Sequence, residues 1–310
     1  MPDMLKPRAV KPGDRIAVVA PASPFRREDF DRGIAEIERL GFRPVFDQRV
    51  FDRRGYVAGE AGTRAQAIAE AWRDPAVAAI MIARGGYGSV QLLPHLRVAE
   101  ARGARKPFIG YSDVTSILSF LTIQAGLACF HGPSVAGCLG RGKAGYDATS
   151  LVRVITCAEP LGAIGGNELE PLKAGHARGT LLGGTLTQLV ASLGTPFAFD
   201  PPTGHVLLLD EVGERPYRLD RMLTQLALAG ILSRASAIVF GQMPGCDEPG
   251  GQPAARATVA DVLRDFDGPV LFGLPTGHAT GPAVTVPLGV QVQVVSGPAP
   301  ALIVEEAAVE

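Results

Sequence analysis

Over the first half of the chain, short runs that are apolar throughout alternate with longer amphipathic stretches. RIAVVAPA reads as a strand, opened by Gly13-Asp14 and closed by Pro21. A helix over 27–40 ends at Gly41, and a second strand follows over 43–47. An Ala-rich helix spans 62–73, VAAIMIA at 77–83 is a third strand, and 90–96 begins a further helix. PFIG is a fourth strand, running into a helix at Val114. Strands apolar along their whole length are covered on both faces, and with helices between them they predict a parallel α/β sheet. Functional groups in such sheets gather in the loops after the strands' C-terminal ends. That rule singles out 20–23, 84–89 and 111–113.

The second half reads differently. From 158 to 178 the chain is irregular, with Pro160, Gly162, Gly165, Gly166 and Pro171, as a connection between domains would be. Beyond it, β-like segments at 206–209, 237–241, 269–272 and 290–295 surround one strong helix at 218–229. The expectation is an α/β domain over 1–157, a linker over 158–178, and a smaller β-rich domain with a helix over 179–310. A length of 310 residues, more than one core usually needs, agrees with two domains.

Charge narrows the partners. With 30 basic against 31 acidic residues, neither nucleic acid nor an anionic membrane is expected. Cys129, Cys138, Cys157 and Cys246 form no CxxC pair, so reduced thiols are expected, without a zinc site or disulfide framework. The N-terminus is polar and proline-bearing where a signal peptide would be apolar. The longest apolar stretch, 117–130, is broken by Ser119, Thr122, Gln124 and Gly126, short of the ~20 apolar residues of a membrane helix. A cytoplasmic protein is the expectation.

Four places can carry chemistry. In FIGYSDVTSI, Ser112 stands in a polar turn between a strand and a helix, where helix-start N–H groups can hold an oxyanion. The GxSxG fingerprint is absent, and Ser112 or Asp113 could equally be a helix cap. RGGYGS presents paired glycines, Gly85 and Gly86, after a buried strand, either for close approach to a ligand or as a tight turn. It lacks the lysine of a P-loop and the spacing of a dinucleotide site. His278, in GLPTGHATGP, suits a mobile general base. His131, in CFHGPS, is its rival and otherwise a structural hydrogen-bonding residue, whereas His95, His176 and His205 read as surface or linker positions. In VLLLDEVGERPYRLDRML, Asp210 and Glu211 end an apolar strand and must point to opposite faces, so only one can orient a histidine. Their alternative, favoured for Glu214 and Asp220, is pairing with Arg215, Arg218 and Arg221.

Together RGGYGS, FIGYSDVTS, HGP, LLGGTL, LLLDEVGERPYRLDRML and GLPTGH resemble the LD-carboxypeptidase family, in order and over nearly the whole chain. That family includes muramoyl-tetrapeptide carboxypeptidases and microcin C immunity hydrolases. The resemblance implies a flavodoxin-like N-terminal domain and a smaller β/α C-terminal domain. It also implies a cytoplasmic homodimer without metal or cofactor, and a site between the domains. By the same resemblance Ser112 is the nucleophile and His278 the base. The family's third member is normally a glutamate; here its position is Asp210, with Glu211 as the alternative. Thr185 stands where asparagine is more usual. The implied reaction releases the terminal D-alanine of murein tetrapeptide in cell-wall recycling. The backbone N–H of Asp113, with Gly85 or Gly86, would hold the oxyanion, and Arg84 is the candidate for the substrate carboxylate. Two other readings are an immunity-type hydrolase of aminoacyl-nucleotide amides and a non-catalytic muropeptide-binding module. The former needs an aromatic platform, and Trp72, inside the Ala-rich helix, looks like packing.

Overall fold

The apolar runs become strands in a computed structural model that describes residues 2–310. In chain order these are β1 (Arg15–Val19), β2 (Arg43–Val45), β3 (Val77–Ile82), β4 (Phe108–Gly110), β5 (Cys129–His131), β6 (Gly162–Ile164) and β7 (Glu170–Lys173). There follow β8 (Gly175–Thr185), β9 (His205–Asp210), β10 (Ala235–Gly241), β11 (Val270–Leu274), β12 (Val286–Leu288), β13 (Gln291–Ser296) and β14 (Ala301–Val304). The first sheet has the order β2-β1-β3-β4-β5, parallel throughout, with β12 added antiparallel against β5. That is the flavodoxin-like order, and its strand ends point toward the Ser112 turn.

The second sheet runs β6-β14-β13-β8-β9-β10-β11-β7, with a parallel centre from β8 to β11 and antiparallel strands on either side. It is the wider of the two sheets. The stretch 158–178, expected as a linker, carries β6, β7 and the start of β8, all of them strands of the second sheet. Gly165 and Gly166, both at positive φ, turn the chain between β6 and β7, which local composition cannot tell from a flexible connection.

Burial explains how the sheets meet. Along β9, Val206 and Leu208 join a core continuous with the first domain, whereas Leu207 and Leu209 face a second core. The helix Pro216–Leu228 covers that second core with Leu219, Met222, Leu223 and Leu226, a helical stripe opened by proline in the first turn. Each fully buried leucine there contributes roughly 1.5–3 kcal/mol. Close approach between the domains depends on Gly184 of β8, where a Cβ would sit 2.7 Å from the Thr115 side chain. No helix among the described residues is long and apolar enough to cross a membrane.

Candidate active site

The strand β4 ends at Gly110, and the chain turns through Ser112 into a short helical segment, Ser112–Val114, followed by the helix Thr115–Ser119. Ser112 has a φ of 64°, in the left-handed region that a non-glycine residue adopts only at a cost of order 1 kcal/mol. Neither Ser112 nor Asp113 caps the helix. Asp113 is buried, and its carboxylate instead accepts the Ser89 N–H at 2.8 Å. Its carbonyl accepts the Ser89 hydroxyl at 2.6 Å. The glycine loop is thereby tied to the serine turn, and Gly85 lies so close that a Cβ on it would be 3.2 Å from Ser112 Oγ. Gly86 is exposed on the same loop.

Ser112, His278 and Asp210 form one hydrogen-bonded series. His278 Nε2 lies 3.1 Å from Ser112 Oγ, and its Nδ1 lies 2.8 Å from Asp210 Oδ2. The His278 backbone N–H donates to Asp210 Oδ1 at 3.1 Å, which fixes the carboxylate at both oxygens. Thr185 adds a hydroxyl donor to Oδ2 at 3.3 Å. Burial opposes the charge on Asp210, but hydrogen bonds and nearby imidazoles outweigh it and hold the carboxyl well below its usual range. Burial would lower the pKa of His278, yet the hydrogen bond and charge of Asp210, with Glu211 further off, raise it.

Glu211 is directed elsewhere. Its Oε2 accepts the Thr187 N–H at 2.9 Å and the Thr187 hydroxyl at 2.6 Å, and its Oε1 accepts the Val212 N–H. Burial raises its pKa despite these donors. The alternation along β9 accounts for the split: Val206, Leu208 and Asp210 face the first domain, and Glu211 follows Leu207 and Leu209 to the other side. Glu214 pairs with Arg218 at 3.2 Å, as the charge pattern suggested.

Gly277 makes room for the series. It has a φ of 60°, and a Cβ there would overlap Asp210 Oδ2 and stand 2.6 Å from His131 Nε2. Gly277→Ala is expected to lower kcat about 100-fold, the scale of a ~1 Å misplacement of reacting groups. Steady-state turnover checks this, and a rate within twofold of the parent would show that Asp210 can shift freely.

Arg84 is exposed, and its guanidinium donates to the Pro24 carbonyl at 2.7 Å. With Arg26, Arg141 and Tyr111 it lines a cavity of about 470 Å³. Tyr111 joins that cavity to the serine turn and packs against His278 with ring centroids 5.1 Å apart.

Three features escaped the sequence. His131 is buried with Nε2 3.7 Å from Asp210 Oδ2, neither ring nitrogen has a partner within hydrogen-bond distance, and it does not bond Ser112. His205, expected at the surface, is buried at the start of β9 with Nδ1 2.8 Å from the Pro202 carbonyl. Arg64, in the Ala-rich helix, is buried and donates to the Gly59 carbonyl at 3.0 Å and the Gly88 carbonyl at 2.9 Å. It thereby holds two loops beside the site, although its surroundings in the sequence look like plain helix surface.

The LD-carboxypeptidase N-terminal domain matches residues 16–132, and the LD-carboxypeptidase C-terminal domain matches residues 178–294. The chain belongs to the LD-carboxypeptidase family. It is therefore a hydrolase of peptidase lineage, with the mixed α/β fold of that family. The murein tetrapeptide carboxypeptidase of Pseudomonas aeruginosa is 30% identical over 271 residues, covering 85% of this chain and 88% of the relative. The muramoyltetrapeptide carboxypeptidase of Oxalobacter formigenes, a solved structure, superposes with a TM-score of 0.82 at 27% identity, covering 94% and 99% of the two chains. The microcin C7 self-immunity protein in its apo state shares the fold with a TM-score of 0.90 at 23% identity, covering 98% and 99%.

Proposed function

We propose that this LD-carboxypeptidase family member is a serine carboxypeptidase. In this reading it cuts the bond between an L-centre and the terminal D-alanine of murein tetrapeptide, in the cytoplasm, as a homodimer engaged in cell-wall recycling. The observation that carries the reading is the Ser112–His278–Asp210 series, with Ser112 held in left-handed geometry at the end of β4. Ser112 Oγ attacks the scissile carbonyl as His278 Nε2 takes its proton, and Asp210 stabilises the imidazolium. The N–H of Asp113, with that of Gly85 or Gly86, holds the oxyanion. His278 then passes its proton to the departing D-alanine amine. Water, deprotonated by the same imidazole, releases the shortened peptide from the serine ester. Arg84, with Arg26 and Arg141 on the same cavity, supplies positive charge for the carboxylates of such a substrate.

The test is D-alanine release from L-Ala-D-Glu-diamino acid-D-Ala by the purified protein. Stoichiometric release supports the reading; none, at enzyme and substrate concentrations approaching millimolar, sinks it. The pH profile offers a further check. The base works only when neutral, and Asp210 raises the pKa of His278. The acid limb of kcat/KM is therefore expected above the ordinary histidine value of ~6.5, with activity rising as pH increases through it. A limb at or below that value contradicts the Asp210–His278 coupling.

One observation favours a second reading, hydrolysis of an aminoacyl-nucleotide amide. Trp72 is buried and unavailable, as the sequence suggested, but Tyr56 and Tyr87 are 69% and 44% exposed and stand edge to face at 5.4 Å. Tyr87 follows Gly85 and Gly86 directly, so a base could stack there. Under this reading Tyr87→Ala raises KM for the nucleotide amide and leaves tetrapeptide turnover alone.

A further inference from the structure

His131 has no part in the reaction as described, yet it is the imidazole most enclosed beside it. Its side chain is fully buried at the end of β5, and neither ring nitrogen has a hydrogen-bond partner. A buried polar ring left unpaired is costly, so its place calls for a compensating interaction. Nε2 stands 3.7 Å from Asp210 Oδ2, the oxygen that also receives His278 Nδ1 and the Thr185 hydroxyl. Gly277 leaves the gap open, since a Cβ there would come within 2.6 Å of that same Nε2. The Tyr111 ring closes the pocket, edge-on to His131 at 6.1 Å and tilted against His278 at 5.1 Å. Two imidazoles thus converge on one carboxylate oxygen.

We propose that His131 is a positioning residue for the hydrolysis, whose Nε2–H is directed at Asp210 Oδ2 and keeps that carboxylate aimed at His278. The inference rests on the serine-hydrolase reading given above. A shift of roughly 0.8 Å would bring Nε2 to hydrogen-bond distance of Oδ2. An N–H directed at the carboxylate favours its anion, which keeps the proton on His278 when the imidazolium forms. Asp210, facing from β9, carries the single negative charge in contact and already serves His278, while Glu211 points to the other side of the sheet. Tyr111, after β4, is kept protonated by burial, and the antiparallel neighbour Val286 on β12 is uncharged.

The experiment compares His131→Phe with His131→Gln. Phenylalanine conserves ring size and packing but has no N–H; glutamine keeps a donor. The Phe variant is expected to lose roughly 10- to 100-fold in kcat with KM unchanged. Its acid limb should move to higher pH, because Asp210 without this donor binds the His278 proton more tightly. The Gln variant is expected to recover most of the rate and return the limb. A Phe variant with parental kcat and limb, or a Gln variant as impaired as Phe, overturns the proposal. Nitrogen-15 spectra of the native protein labelled at histidine provide a readout that needs neither variant folding nor substrate. They should show a proton on His131 Nε2, and an unprotonated Nε2 overturns it. The spectra separate this inference from the tetrapeptide reading, since they stand even if no D-alanine is released.

Discussion

Replacing Ser112 by alanine is expected to lower D-alanine release by about 10³- to 10⁶-fold, while the peptide still binds. Ser112 Oγ is the hydroxyl in hydrogen-bond contact with His278 Nε2, so its removal leaves only binding and the oxyanion donors. Retention of a tenth of the parental rate would remove Ser112 from the role of nucleophile. Ser112→Gly tests the backbone separately. At a φ of 64° glycine carries no Cβ penalty, so this variant should be equally inactive but more stable by about 1 kcal/mol. A urea midpoint raised without a change in slope would show that release of strain; an unchanged or lower midpoint would refute it. The site would then be a place where stability is traded for a nucleophile held at the correct angle.

The second large effect belongs to the acid. Asp210→Asn should lower kcat by about 10⁴-fold, because the amide cannot orient and stabilise the imidazolium as a carboxylate does. Glu211→Gln should leave kcat of the same order. Its carboxylate binds Thr187 and Val212 instead, so its loss should appear as roughly 1–2 kcal/mol of stability. Measuring both variants for turnover and for unfolding gives a double dissociation: activity lost in one, stability lost in the other. The reverse pattern would assign the triad acid to Glu211, the glutamate that the family resemblance leads one to expect nearby.

Much of this arrangement was legible from local pattern. Uninterrupted apolar runs such as VAAIMIA announced strands covered on both faces, and the rule for such sheets led straight to the turns holding Gly85 and Ser112. The stretch VLLLDE limited the acid to one of two neighbours. What local pattern could not supply was long-range pairing. The strand β12 is three residues long and completes the first sheet although it follows the second domain's strands in sequence. Residues 158–178 look like a linker because their glycines and prolines read as breakers, although Gly162 and Pro171 lie within strands.

The sequence by itself determined the class of fold, the serine turn and the short list of chemical groups, since these follow from periodicity and from residue type at adjacent positions. Only the tertiary structure shows which of Asp210 and Glu211 contacts His278. Period-two alternation sends the two acids to opposite faces, but which face meets the first domain depends on which core Val206 and Leu208 join. The same holds for His131. Its sequence neighbours say only that it ends an apolar strand; that its ring stands 3.7 Å from Asp210 is set by the packing of two sheets whose residues lie far apart along the chain.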